Sequence, residues 1–163
     1  MKIYIDTEFI EAPNHLELIS IGMVKPTGDT YYAISSEFDP NRASDWVKEN
    51  VIQLLETDIE RKTVAVIKED IVAFIGYMIP QFWAYFASFD WVLIQWMYGG
   101  MSKLPYNFPM YCRDLKQEID RLQFPPEYFP ENKNKHHALS DAHWNRALHL
   151  KLMEYERKAG TGM

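Results

Sequence analysis

The chain carries one cysteine, Cys112, so no disulfide can form within it and no thiolate cage can hold a metal. The role left for that thiol is that of a small buried hydrophobe. Positive charge is also scarce: 17 Lys and Arg face 23 Asp and Glu, for a formal net charge of −6. That balance excludes a general basic surface of the kind that grips nucleic acid through its phosphates. It leaves room for a local site, because two divalent cations held by four of the acids would return about +4 and attract phosphate. Internal repeats and flexible linkers are missing, and 47% hydrophobic with 15% aromatic content excludes a disordered chain. The 163 residues suit one domain, read as 1–158 with a short tail at 159–163. No pattern of basic start, apolar core and small-residue cleavage site is present, so the expected location is cytoplasmic.

Charge is nearly absent from Ile71 to Gly100, where Asp90 is the single charged residue in 30. Such a run invites a membrane reading. Pro80 breaks it near the middle, and its aromatics are spread along it instead of gathering at two interfaces, so no membrane span is expected. The segment reads as a core helix, a buried strand and a second helix, which puts Asp90 in an apolar setting.

Around it, "KIYIDTEFI", "LELISIGMVKP" and "DTYYAIS" read as strands rich in β-formers, the last two joined by a turn at "PTGD". Short links make them an antiparallel meander. From Ala43 the period becomes helical, and "TVAVIKEDIVAFIGYMI" continues it to Pro80. "FWAYFA" predicts a short parallel strand, followed by a helix from about Asp90 to Tyr98. "MYCRDL" predicts a last strand, "DLKQEIDRL" a helix, and "SDAHWNRALHLKLMEYERK" a terminal amphipathic helix. The order predicts an α/β fold, a mixed sheet flanked by helices.

Three groups of polar residues stand out. Asp6 and Glu8 sit two apart in the first strand, so both point to one face. A D-x-E pair is common by chance at this composition, and Asp58-Ile59-Glu60 is another in a charged stretch that reads as solvated surface. What separates Asp6 and Glu8 is their setting among Ile3, Ile5, Phe9 and Ile10. Buried carboxylates cost several kcal/mol unless a cation compensates; an exposed strand end is the alternative. Asp90 follows a strand directly and opens a helix, at the sheet end where open α/β folds bind ligands. It also suits a helix N-cap, a role Ser88 could fill instead. In "HHALSDAHW", Asp141 lies five residues after His136 at the start of a helix, where an acid also favours the helix dipole. A loop-borne histidine beside a metal-binding acid makes a proton acceptor.

D-x-E on the first strand, an Asp after a central strand and H-x4-D at the last helix together resemble the DEDDh 3′→5′ exonucleases, which have the ribonuclease H-like fold. "YIDTEFIE", "LELISIG", "YYAISSEFDP" and "WAYFASFD" are similar to the polyadenylate-specific 3′→5′ exoribonuclease AS group. The resemblance covers about residues 1 to 155. It implies a mixed ribonuclease H-like sheet, Asp6, Glu8, Asp90 and Asp141 as ligands of two Mg²⁺ or Mn²⁺ ions, and His136 as general base. His137 stands where a sister group has tyrosine. Implied too are single-stranded RNA 3′ ends as substrate, adenylate-rich tails among them, and nucleoside 5′-monophosphates as product.

Thr7, through its backbone, and Phe9, by stacking, are candidate substrate contacts; Lys133 and Lys135 are candidates for phosphate. A DNA-trimming exonuclease and a non-catalytic ribonuclease H-like binding domain are the alternatives. Finally, "WVLIQWMYGG" has no clear polar face; with the resemblance this predicts a homodimer built partly on that helix, the alternative being a helix enclosed in the monomer.

Overall fold

The computed structural model describes residues 1–160. Five strands form one sheet in the order β3-β2-β1-β4-β5. β1 (Lys2–Ala12) turns at Asn14 into β2 (His15–Val24), which the "PTGD" turn joins to β3 (Thr30–Ile34); both pairs are antiparallel. β4 (Gln81–Ala84) and β5 (Arg113–Asp114) add parallel to β1 and to each other. The expected mixed sheet is present, with helices on both faces.

Alternation along β1 decides which helices meet which acids. Ile3 and Ile5 join a core with Ile67, Ile71 and Ile75 of α2 (Val64–Ile75) and with Trp91, Leu93 and Ile94 of α3 (Ser88–Met97), and Phe9 packs against it. Tyr4 on the opposite face packs with Leu115 and Ile119 of α4 (Leu115–Leu122) and with Ala142, Leu148 and Leu152 of α5 (Ala138–Gly160). Asp6 and Glu8 share the α5 face by the two-residue period. Near Glu8 the register shifts, Glu8 opposing Ser20 and Phe9 opposing Leu18. Ile19 is the extra residue, a β-bulge; it is buried in a third core with Ile10, Ile34, Phe38 and Val51.

Several boundaries differ from the periodicity. The helical pattern starting at Ala43 is broken: α1 (Asp45–Asn50) is capped by Ser44, a 3-10 turn spans Ile52–Leu54, and α2 begins only after Thr63 caps it. Val47, Ile52, Leu55 and Ile59 of this excursion pack on the third core, which explains their apolar spacing without one continuous helix. α2 stops at Gly76, at φ 69, and does not reach Pro80. The strand expected over "FWAYFA" ends at Ala84, because Phe86 takes a left-handed φ of 56 in a turn, and α3 begins at Ser88. The strand expected over "MYCRDL" pairs only at Arg113 and Asp114, since Asp114 is already the N-cap of α4. α5 runs through the residues assigned to the start of a tail, while 161–163 lie outside the described residues. Among the described residues, no helix is long and apolar enough to cross a membrane.

Gly22 sets the distance between α5 and the sheet. A Cβ there would fall inside the Ala138 carbonyl group and the Leu139 nitrogen, at the first residues of α5. All of these are backbone atoms, which no side-chain rotation can move aside. Gly22 also sits opposite Asp6 in the β1–β2 register, so the same gap brings the start of α5 beside that acid. Gly22→Ala is expected to destabilise the fold by about 1–3 kcal/mol through overpacking and to weaken divalent-cation binding; urea denaturation and calorimetric titration with Mn²⁺ measure both.

Candidate active site

Asp6 and Glu8 project from β1, and Asp141 meets them from the first turn of α5. Each offers a carboxylate oxygen, and the three lie within 4.8 Å of one another. Two ties place Asp141. His137 precedes α5 and accepts the Ser140 N–H on Nδ1 at 3.3 Å, as an N-cap. One turn past Asp141, buried Asn145 donates from Nδ2 to the Ile5 carbonyl at 2.8 Å, pinning the helix to β1 next to Asp6.

Asp90 is not one of these three, although its charge reaches Asp6 and Glu8. It is 6% exposed, and its Oδ1 accepts both the Thr7 amide at 2.8 Å and the Thr7 hydroxyl at 2.6 Å. It caps nothing, and neither does Ser88, because α3 has no side-chain cap. Thr7 is therefore committed: its N–H, expected to meet substrate, is spent on Asp90. Phe9 stacks on Phe89 with ring centroids 5.6 Å apart, and half of the Phe89 side chain is open to solvent.

His136 sits in the turn just before α5 with φ 64, and its amide donates to Asp141 Oδ2 at 2.8 Å. The other Asp141 oxygen accepts from Asn132 of the same loop. Trp46 of α1 stands edge-on to the His136 ring, centroids 4.9 Å apart. His137 faces away: it stacks on Tyr32 and pairs through Nε2 with Glu56 at 2.6 Å. A cleft of about 540 Å³ runs beside the acids, walled by Tyr85, Phe129 and Trp144 and reached by Lys135 and His136. Lys133 pairs with Glu131 instead of lining it.

Sequence reasoning missed Trp46, Asn132, Asn145 and Gly22. Asn145, at i+4 from Asp141 on one helix face, carried a usable signal; the others are joined to the site only by the fold. His149 is a core histidine against Tyr4 and Trp83, its pKa pushed down to about 4 by burial, then by Lys2 and Arg113.

The acids repel one another in poorly hydrated surroundings. Burial, then Asp90, Glu8 and Asp141, hold Asp6 well above the usual carboxylate range. Burial, then Asp141 and Asp90, raise Glu8 to about 8. Burial raises Asp90 to about 6 against the Thr7 hydrogen bonds, which lower it. Hard oxygen donors converging this closely are a set that could hold a divalent cation, whose charge would offset their mutual repulsion. Asn145 Oδ1, a buried oxygen without a hydrogen-bond partner, adds to that unmet demand.

A carboxylate whose folded pKa is raised binds more protons folded than unfolded, so its contribution turns destabilising as pH climbs from the ordinary carboxylate range through the folded value. For Glu8 that window closes at about 8. Glu17, Glu56 and Asp70, with lowered pKa values, act below it. His149, and His143 with a pKa also lowered by burial, make stability rise with pH up to the ordinary histidine range, so without divalent ions the melting temperature is expected to fall between about pH 7 and about pH 8.5, and saturating Mg²⁺ is expected to raise it more at the upper end. A melting temperature that rises across this window without metal contradicts the assignment.

Known proteins align with this geometry. Residues 1–153 match the family described as "3'-5' exoribonuclease Rv2179c-like domain". The chain is 33% identical over 167 residues to the "3'-5' exoribonuclease Rv2179c" of Mycobacterium tuberculosis strain H37Rv, covering 99% of this chain and 98% of that one. The "3'-5' exoribonuclease MT2234.1" of strain CDC 1551 gives the same figures. Among solved structures, zinc-bound E. coli exonuclease I with single-stranded DNA superimposes with a TM-score of 0.64 at 13% identity, over 96% of this chain and 41% of that one. Another exonuclease I structure gives 0.64 at 14%. The chain thus spans about two fifths of exonuclease I, whose likeness establishes the fold. Full-length identity with the mycobacterial proteins and the family match over nearly every residue lead to one conclusion: the chain belongs to the Rv2179c-like 3'-5' exoribonuclease family.

Proposed function

We propose that this exoribonuclease releases nucleoside 5′-monophosphates from the 3′ end of single-stranded RNA, with two divalent cations, Mg²⁺ or in its place Mn²⁺, held by Asp6, Glu8, Asp90 and Asp141. The observation that carries the reading is the convergence of Asp6, Glu8 and Asp141 from a strand and a helix far apart in sequence, with ligand atoms within 4.8 Å. Bound cations would neutralise the charge that builds on the phosphate and on the departing 3′ oxygen.

The chain's own groups do the rest. His136 takes the proton of the attacking water; the water oxygen bonds to phosphorus as the P–O3′ bond breaks, and the departing 3′ oxygen takes a proton to leave a shortened RNA with a free 3′-hydroxyl. The hydrogen bond that the His136 backbone amide donates to Asp141 and the edge of Trp46 restrict where the imidazole can sit. Tyr85, Phe129 and Trp144 shield the cleft from water, and Lys135 gives it a positive charge. Phe9, stacked on Phe89, offers a ring face to a base, worth about 1–3 kcal/mol per stacked base. Thr7 serves substrate only through Asp90. The likeness to the polyadenylate-specific group extends the proposal to adenylate-rich tails.

The proposal includes a two-fold dimer. α3 buries Trp91, Leu93 and Ile94 but leaves Phe89, Val92 and Trp96 on an exposed apolar face, a feature that anchors interfaces. Light scattering after gel filtration is expected to give twice the 19.3 kDa chain mass; a mass near that of one chain overturns the dimer.

End-labelled oligo(A), oligo(U) and oligo(dA) test the activity. Stepwise shortening of the RNAs from the 3′ end, only with a divalent ion, is expected. No shortening refutes the proposal, and preference for oligo(dA) moves it to DNA. Asp6→Asn is expected to abolish turnover in saturating Mg²⁺. His136→Ala should lower turnover by about 10²- to 10⁴-fold with cation affinity nearly unchanged. His137→Ala should instead lower stability by about 0.5–2 kcal/mol through loss of the α5 cap, with a smaller effect on turnover; the reverse ranking moves the base to His137.

A further inference from the structure

We infer that Asp114 is the positioning residue for Asp90, one carboxylate that caps α4 and ties down the turn leading into α3, and thereby fixes where Asp90 stands beside the acidic cluster. The inference rests on the proposed role of Asp90 as a metal ligand. β4 ends at Ala84, and after three intervening residues α3 must begin at Ser88, with Asp90 in its first turn. The connection is strained: Phe86 holds a φ of 56, a region that bulky residues avoid. Packing of its own ring does not enforce this, because Phe86 is 59% exposed and touches only Tyr85 among the rings. Such a conformation persists where surrounding groups over-determine it.

Asp114 supplies that constraint. It pairs with Ala84 in the parallel β4–β5 register, so its side chain stands beside the turn. Its Oδ1 accepts the Phe86 amide and its Oδ2 the Ala87 amide, each at 3.2 Å. Ala87 is the residue before α3, which has no side-chain cap of its own, so the turn into the helix is held from the neighbouring strand. The same Oδ1 accepts the Lys116 amide at 2.8 Å and caps α4. Asp90 lies three residues past Ala87, where Thr7 grips its carboxylate from β1. The backbone of α3 is thus fixed from β5 and its acid from β1. Release of the first tie lets the turn relax and carries Asp90 off Thr7 and away from Asp6.

Two variants separate the α4 cap from the tie to the turn. Asp114→Ser keeps a capping oxygen for Lys116 but is too short for the turn; Asp114→Asn keeps the shape but loses one acceptor oxygen. Both are expected to weaken Mn²⁺ binding in calorimetric titration by about 10- to 100-fold, and to raise the Mg²⁺ needed for half-maximal RNA hydrolysis in step, with KM for oligo(A) little changed. Thr63→Ala removes a helix cap at α2, away from the acids; it should lower the melting temperature and leave Mn²⁺ affinity intact. Asp90→Asn belongs in the same series. If it binds Mn²⁺ and turns over like the parent, the role of Asp90 is wrong and the inference falls with it. If Asp90→Asn is impaired while the folded Asp114 variants keep parental Mn²⁺ affinity, Asp114 is a cap and nothing more. Should Asp114→Asn fail to fold, Asp114→Ser, with the α4 cap intact, decides.

Discussion

α5 touches the sheet backbone at Gly22, and the catalytic geometry hangs on that contact. A helix normally stands off a sheet by the length of two interdigitating side chains; here the strand presents no side chain at all, so the first residues of α5 rest on β2 itself. Asp141 is carried by that turn, and Gly22 lies opposite Asp6. Close approach alone would leave the helix free to slide. The Asn145 bond to the Ile5 carbonyl and the His137 cap fix it lengthwise.

What this approach assembles is unfavourable by itself. Like charges drawn together in poorly hydrated surroundings raise each other's pKa, and the cluster holds protons to a pH at which exposed carboxylates have long lost them. Removing one member relieves repulsion, so conformational stability does not account for the arrangement. The arrangement fits a divalent cation, which three converging carboxylates could hold. The remaining hydrogen bonds leave the cluster poised for one: Asn132 and the His136 amide occupy Asp141, and Thr7 occupies Asp90, all neutral donors that a cation can outcompete.

Around this centre, parts remote in sequence act as walls. The excursion between β3 and α2 is held down by its apolar residues, and from it Trp46 meets His136 while Glu56 holds His137. Two adjacent histidines thereby receive different tasks, one facing the cleft and one built into the helix cap. Elsewhere Asp114 holds the turn that leads into α3, and Thr7 holds Asp90. The chain is acidic overall, so on the proposed function attraction for RNA is local, from Lys135, from ring faces and from the cations the acids would hold.

The sequence by itself determined what the two-residue and helical periods can carry. Asp6 and Glu8 share a face because a strand alternates; the meander follows from three β-rich runs with short links; Asp141 opens a helix after a loop that bears His136. Periodicity reported less well where it reflected burial without regular structure. The apolar spacing over 43–59 came from a folded-back excursion, and "FWAYFA" was apolar beyond the end of its strand because the turn is packed too. Which acids meet was decided by tertiary structure, since that depends on a helix landing on a strand, with Asn145 bonded to Ile5 across 140 residues of chain, and no local pattern encodes such a landing. Gly22 shows the reason. In the sequence it is one glycine in a strand, a mild defect; its meaning lies in the absent side chain, and only the helix packed against that absence reveals it.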